Sequence, residues 1–108
     1  MKIKDVIEGK KTYFLVFRLE HDESYDLRFR KLEDIINDIS GGNCWKDPTS
    51  FMIFSTKKTR RHIINRVKKC IDEDQDIVVI GKPGKSKMWI IGEIYDDSVF
   101  DLVNAKSV

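Results

Sequence analysis

The spacing of apolar positions changes several times along this chain, and the changes divide it into elements. Thr12 to Leu19, TYFLVFRL, is almost continuously apolar, rich in aromatic and β-branched residues, and free of Gly and Pro. Such a run reads as a central strand covered on both faces. From Tyr25 the period lengthens, and Tyr25, Phe29, Leu32, Ile36 and Ile39 recur at steps of four, three, four and three. That is one face of an α-helix, with Asp22 or Ser24 placed to cap its open N–H groups and Gly41-Gly42 placed to end it. Asn43 to Lys46 reads as a short extended piece and Asp47-Pro48 as a turn. Thr49 to Thr56, TSFMIFST, is a strong strand that pairs with the short piece as a hairpin. A second helix is expected from about Lys58 to Ile71, capped by Thr56 or Thr59, with Ile63, Ile64, Val67, Cys70 and Ile71 as its apolar stripe. Asp76 to Ile80 is a buried strand ended by Gly81, Lys82 to Lys87 a basic hairpin turn, and Met88 to Ile94 a fifth strand. The tail from Asp96 to Val108 carries enough apolar residues for one short helix, capped by Asp97 or Ser98.

Strand, helix, strand, strand, helix, strand is the order of a split βαβ unit, so the predicted class is α+β: a ferredoxin-like plait (βαββαβ) with an extra C-terminal strand and tail. Residues 1–11 form a lead-in, residues 12–94 the domain and residues 95–108 the tail. A plait with both helices on one face leaves its other sheet face bare, yet these strands are apolar on both. A two-fold homodimer that buries the bare face is therefore expected.

Composition narrows the class further. At 108 residues there is room for one ordinary core. Hydrophobic residues make up 41%, too many for a disordered chain, and 20 basic against 18 acidic residues leave a net charge of +2. No apolar run approaches the roughly 18 residues of a membrane span. Met1-Lys2-Ile3-Lys4-Asp5 lacks the apolar stretch of a signal peptide, so a soluble, cytoplasmic protein without a membrane partner is expected. Two cysteines, Cys44 and Cys70, make neither a disulfide framework nor a zinc quartet.

Candidate chemistry is concentrated in basic residues. Between Lys57 and Lys69 stand Lys57, Lys58, Arg60, Arg61, Arg66, Lys68 and Lys69, with no acidic residue among them. A solvated helix face usually mixes signs, because like charges four apart repel and the first turn favours acids. An all-basic face points to an anionic partner, nucleic acid or an acidic protein. Lys58, Arg60, Arg61, Arg66, Lys68 and Lys69 are the candidate contacts, and Lys82, Lys85 and Lys87 extend them. Gly81 to Ser86, GKPGKS, lacks the GxxxxGK[ST] spacing of a phosphate loop and precedes a strand, so it reads as a turn. His21 and His62 belong to no catalytic pattern, and Cys70 falls on an apolar helix face as a small core residue. The acidic run Asp72 to Asp76 lacks the Gly and Glu of a calcium loop and reads as a solvated connector facing Lys68 and Lys69. Phe14, Phe51 and Phe54 sit among Leu, Ile and Val, which favours core or dimer interface over a base-stacking platform for Trp45, Trp89 and the strand aromatics.

The strand TYFLVFRL, Trp45 and Pro48 ahead of a strand beginning near Ser50, and the junction CIDEDQD before IVVI together resemble one known superfamily. It holds the small CRISPR-associated adaptation endonuclease and the virulence-associated endoribonuclease. The resemblance covers roughly residues 12–94. It implies a ferredoxin-like dimer in which a strand after the fourth, here Met88 to Ile94, extends the partner's sheet. Nuclease members carry an Asp near the end of the first strand, where it ligates a divalent metal. The matching position here is Arg18 or Phe17, neither of which binds Mg²⁺, and Asp22 lies four residues beyond. Three functions follow. The first is a non-catalytic homodimeric module without a cofactor, contacting nucleic acid or an acidic partner through the basic helix. The second is a Mg²⁺- or Mn²⁺-dependent endonuclease or endoribonuclease that uses Asp22. The third is a phage or mobile-element protein that inhibits a host protein.

Overall fold

A computed structural model describes residues 9–108. Of the lead-in expected over residues 1–11, residues 1–8 lie outside the described residues. The chain folds as β1 (Lys11–Arg18), α1 (Tyr25–Ser40), β2 (Cys44–Trp45), β3 (Phe51–Thr56), α2 (Arg60–Lys68) and β4 (Ile77–Gly81). It continues through β5 (Met88–Ile90), α3 (Val99–Leu102) and β6 (Ala105–Ser107). Among the described residues the architecture is α+β: an antiparallel four-stranded sheet in the order β2-β3-β1-β4, three helices, and a separate parallel pair β5-β6.

The two-residue period of β1 sorts its side chains onto two faces. Tyr13, Leu15 and Phe17 face the helices, opposite Phe54 and Met52 of β3 and Ile80 and Val78 of β4. Leu32, Ile36 and Ile39 of α1 and Ile63 and Val67 of α2 close over them to form the main core. Gly41 ends α1 at φ 63°, and the Gly42 N–H donates to the Asn37 carbonyl at 2.9 Å, which satisfies a carbonyl of the last turn. α2 starts at Thr59, whose Oγ1 accepts from the His62 N–H at 3.2 Å, and it ends at Lys68, short of the expected Ile71.

The opposite sheet face presents Phe14, Phe51, Ile53 and Trp45, and the C-terminal part of the chain covers it. Val99, Leu102 and Val103 join Trp45 and Ile53 in a second core, with Met88, Ile90 and Ala105 packed against it. Trp45 Nε1 donates to the Asp96 carbonyl at 2.8 Å, and Asp47 Oδ2 accepts from the Tyr95 and Asp96 N–H groups at 2.9 and 2.8 Å. The tail is thus both a one-turn helix and a strand. Three sequence expectations change as a result. The fifth strand stops at Ile90, because Gly92 takes φ 114° and leaves the extended path. Residues 82–87 do not make a hairpin, because β5 pairs with β6 rather than with β4. The face whose exposure argued for a dimer is largely occupied by the chain itself. What stays open is Val16, 39% exposed, beside Ile77 and Val79, each 52% exposed.

Candidate nucleic-acid interface

Antiparallel register gathers lysines that are far apart in sequence. Lys11 stands opposite Thr56, and Phe14 opposite Gly81, so the start of β1 adjoins the ends of β3 and β4. Three segments therefore meet at one end of the sheet: residues 9–12, 55–62 and 81–88. They carry Lys10, Lys11, Lys57, Lys58, Arg60, Arg61, Lys82, Lys85 and Lys87, and no Asp or Glu. α2 begins at this end, adding the partial positive charge of its N-terminus. The opposite end receives Glu20, Asp22, Glu23, Asp47 and Asp72 to Asp76. A net charge of only +2 hides this polarity.

The basic residues expected on the second helix divide along its length. Lys58, Arg60 and Arg61 are exposed, and among the described residues none meets a carboxylate. Lys69 is exposed beyond the helix end. Arg66 instead pairs with Asp38 at 3.2 Å and Lys68 with Glu73 at 3.9 Å. Lys82, Lys85 and Lys87 are all exposed, and Lys82 Nζ lies 5.5 Å from the Tyr13 ring centroid. Among the described residues, Lys58, Arg60 and Arg61, which meet no carboxylate, thus stand at the sheet end, whereas Arg66 and Lys68 further along the helix are paired.

Two cross-strand neighbours at this end, Thr12 and Ser55, are buried with hydroxyls that have no hydrogen-bond partner among the described residues. Thr12 borders a cleft with Lys11, Lys82 and Lys85, and Ser55 borders another with Lys10, Lys57 and Lys58. The sequence carried no signal for either hydroxyl. Of the two tryptophans, Trp45 is core, as expected, but Trp89 is 59% exposed. Lys87 and Lys106 hold their ammonium groups 5.3 and 5.9 Å from its ring centroid. Sequence reasoning placed Trp89 with the aromatics of the core or of a dimer interface. The signal that distinguishes it is the basic residue two positions before it, since i and i+2 share a strand face.

Asp22, the candidate metal ligand, is committed to structure. Its Oδ1 accepts from Arg28 Nη1 at 2.8 Å and from the Ser24 N–H at 2.9 Å. The bond from Arg28 holds its carboxyl below the usual carboxylate range. A divalent cation there would face a guanidinium at hydrogen-bond distance. Arg28 also donates to the Glu20 carbonyl, to the Ser24 hydroxyl, and through Nε and Nη2 to Asp76 at 2.9 and 3.3 Å. Asp76 therefore belongs to a buried ionic knot rather than to a solvated connector. His21 stacks on Tyr25 at 4.2 Å, and His62 Nε2 is buried without a partner among the described residues. Burial pushes the Cys44 thiol up to about 11, and that of Cys70 up as well, so neither is a ready nucleophile. Among the described residues no three His, Cys, Asp or Glu side chains group as a metal site, and no helix is long and apolar enough to cross a membrane. Compared with known proteins, the chain matches no family model and no curated protein.

Proposed function

We propose that this chain is a small non-catalytic binding module that takes single-stranded nucleic acid across the basic end of its sheet. The observation that carries the reading is the convergence of Lys11, Lys57, Lys58, Arg60, Arg61, Lys82, Lys85 and Lys87 from segments that contain no acidic residue. Like charges gathered in this way repel one another in the free protein, and a run of phosphates relieves the repulsion. Exposed Trp89 favours a single strand, because an unpaired base offers a π-face to stack on the indole. The strand order β2-β3-β1-β4, with both long helices in one core, supports reading the domain as a ferredoxin-like plait. The engagement of Asp22 by Arg28 speaks against the metal-dependent nuclease reading.

The test is fluorescence anisotropy with labelled single-stranded RNA and DNA oligonucleotides. Five phosphate contacts give a log–log salt slope of about −3.5, so raising salt from 50 to 200 mM costs on the order of 10² in affinity. Reversing Lys57, Lys58 and Arg61 to Glu abolishes binding, while reversing Arg18 and Lys46 at the far end leaves it intact. Trp89 emission is quenched on binding, and Trp89→Ala weakens it. Absence of binding to every oligonucleotide at 50 mM salt refutes the reading.

A further inference from the structure

The four-stranded sheet has one guarded edge and one bare one. β2, at the first, has two residues, and so short an edge offers little to pair with. β4, at the second, runs Ile77-Val78-Val79-Ile80-Gly81, and among the described residues no strand pairs with its outer side. It carries neither the charge nor the proline that commonly guards such an edge. Apolar surface flanks this edge on both faces of the sheet. On the helix face, Ile64 and Val67 of α2, Ile71 behind it, and Val78 and Ile80 of β4 line a groove of about 540 Å³. On the other face Ile77 and Val79 are each 52% exposed, beside Val16. An added strand suits both faces when its own side chains are apolar on both, and β4 itself has that pattern.

Charge gives the direction of pairing. The run before β4 is acidic, with Asp72, Glu73, Asp74 and Asp76, and the turn after it is basic, with Lys82, Lys85 and Lys87. Glu73, Asp74, Lys82 and Lys85 are exposed. Parallel pairing of two such strands sets like charge beside like. Antiparallel pairing sets the acidic run of each beside the basic turn of the other. We propose that the bare edge of β4 pairs with the same edge of a second copy of this chain, antiparallel about a two-fold axis, and joins the two sheets into one. With the axis at Val79, the middle residue of the strand, Val79 meets its own copy and Val78 meets the partner's Ile80. Main-chain hydrogen bonds hold the strands together, and the contact is self-complementary, as a two-fold interface requires. The dimer does not depend on the nucleic-acid reading. Lys11 on β1, and Lys57 and Lys58 after β3, lie one and two strands in from this edge, so the joint leaves them to a bound strand.

The experiment is sedimentation equilibrium of the full chain at micromolar to submillimolar concentrations, with circular dichroism to show that each variant is folded. The parent sediments at twice the 12.7 kDa of one chain. Val79→Lys and Val79→Glu each sediment as folded monomers, because each sets like charges face to face at the axis, and an equimolar mixture of the two recovers the dimer. Lys82→Glu with Lys85→Glu weakens the dimer about tenfold at low salt, and adding Glu73→Lys and Asp74→Lys to that variant restores it. A monomeric parent overturns the proposal and leaves the edge to a strand of another protein. A dimer that survives both Val79 variants overturns it and places the contact elsewhere. Val79 variants that stay monomeric when mixed overturn the two-fold register, and a dimer indifferent to the lysine reversal overturns the antiparallel direction.

Discussion

Substituting Asp76 by Asn keeps the shape of the side chain and removes its charge, and the cost follows from its four hydrogen bonds. Oδ1 accepts from the Glu20 N–H at 2.8 Å and from Arg28 Nη2 at 3.3 Å; Oδ2 accepts from the Asp72 N–H at 2.8 Å and from Arg28 Nε at 2.9 Å. The carboxylate is fully buried. An amide keeps only one acceptor oxygen, so two bonds are lost and an N–H₂ group is turned towards donors. At about 1.5–3 kcal/mol for each hydrogen bond to a charged group, the loss of two is about 3–6 kcal/mol, which spans the range of about 3–5 kcal/mol found when buried ion pairs lose one partner. That is a large fraction of a single domain's total stability of about 5–15 kcal/mol. Urea denaturation followed by circular dichroism measures it, with the midpoint moving and the slope unchanged. A companion variant, Arg28→Met with Asp76→Leu, removes both charges and is expected to recover much of the loss, because the desolvation cost disappears with them. A loss below about 1 kcal/mol in Asp76→Asn would place the pair among weak surface bridges and refute the argument.

The remaining predictions rest on separate features. Burial alone would raise the Asp76 carboxyl, but the N–H groups of Asp72 and Glu20 and the guanidinium of Arg28 outweigh it and hold the carboxyl low, as Arg28 does for Asp22. The unfolded chain therefore takes up protons first as pH falls below about 4, so the stability these groups provide is present above that pH and lost below it; the fall is shallower in Asp76→Asn. A Cβ on Gly81 would lie 2.6 Å from Phe14 Cζ, so Gly81→Ala costs about 1–3 kcal/mol in chemical denaturation and Phe14→Leu relieves it. Val99→Asp puts a charge into the second core, where Val99 is 1% exposed, and releases the tail from the sheet. Trp45 emission then shifts to the red and light scattering detects association, whereas an unchanged mass and spectrum would mean that the tail is not what shields this face.

The legible parts of the fold were those with a sustained period. Tyr25 to Ile39 repeats over four turns, and TYFLVFRL and SFMIF are too apolar to be anything but buried strands, so α1, β1 and β3 could be read directly. α3 has four residues and β6 three, too short for any period to emerge. Their effect, covering Trp45 and Ile53, depends on contacts across some fifty residues of chain. Asp76 looked solvated because its neighbours are acidic, and nothing local ties it to Arg28, 48 residues away. The basic site was half legible. The run from Lys57 to Arg61 stood out, with Lys82, Lys85 and Lys87 as its extension, but the place of Lys11 beside them follows only once the antiparallel register is known.

The second core also sets an order of events during synthesis. β1, α1, β2, β3, α2 and β4 can close their shared core before any residue of β5 has been made. The opposite face then waits, with Phe14, Trp45, Phe51 and Ile53 open to the surroundings, until the segment from Met88 to Ser107 follows. The nascent domain thus passes through a sticky interval, and the length of that interval is fixed by how quickly about twenty further residues are translated, at roughly 5–20 residues per second. Slow codons between Gly81 and Ala105 would lengthen it and raise the demand for chaperones, while the same codons placed before β4 would not.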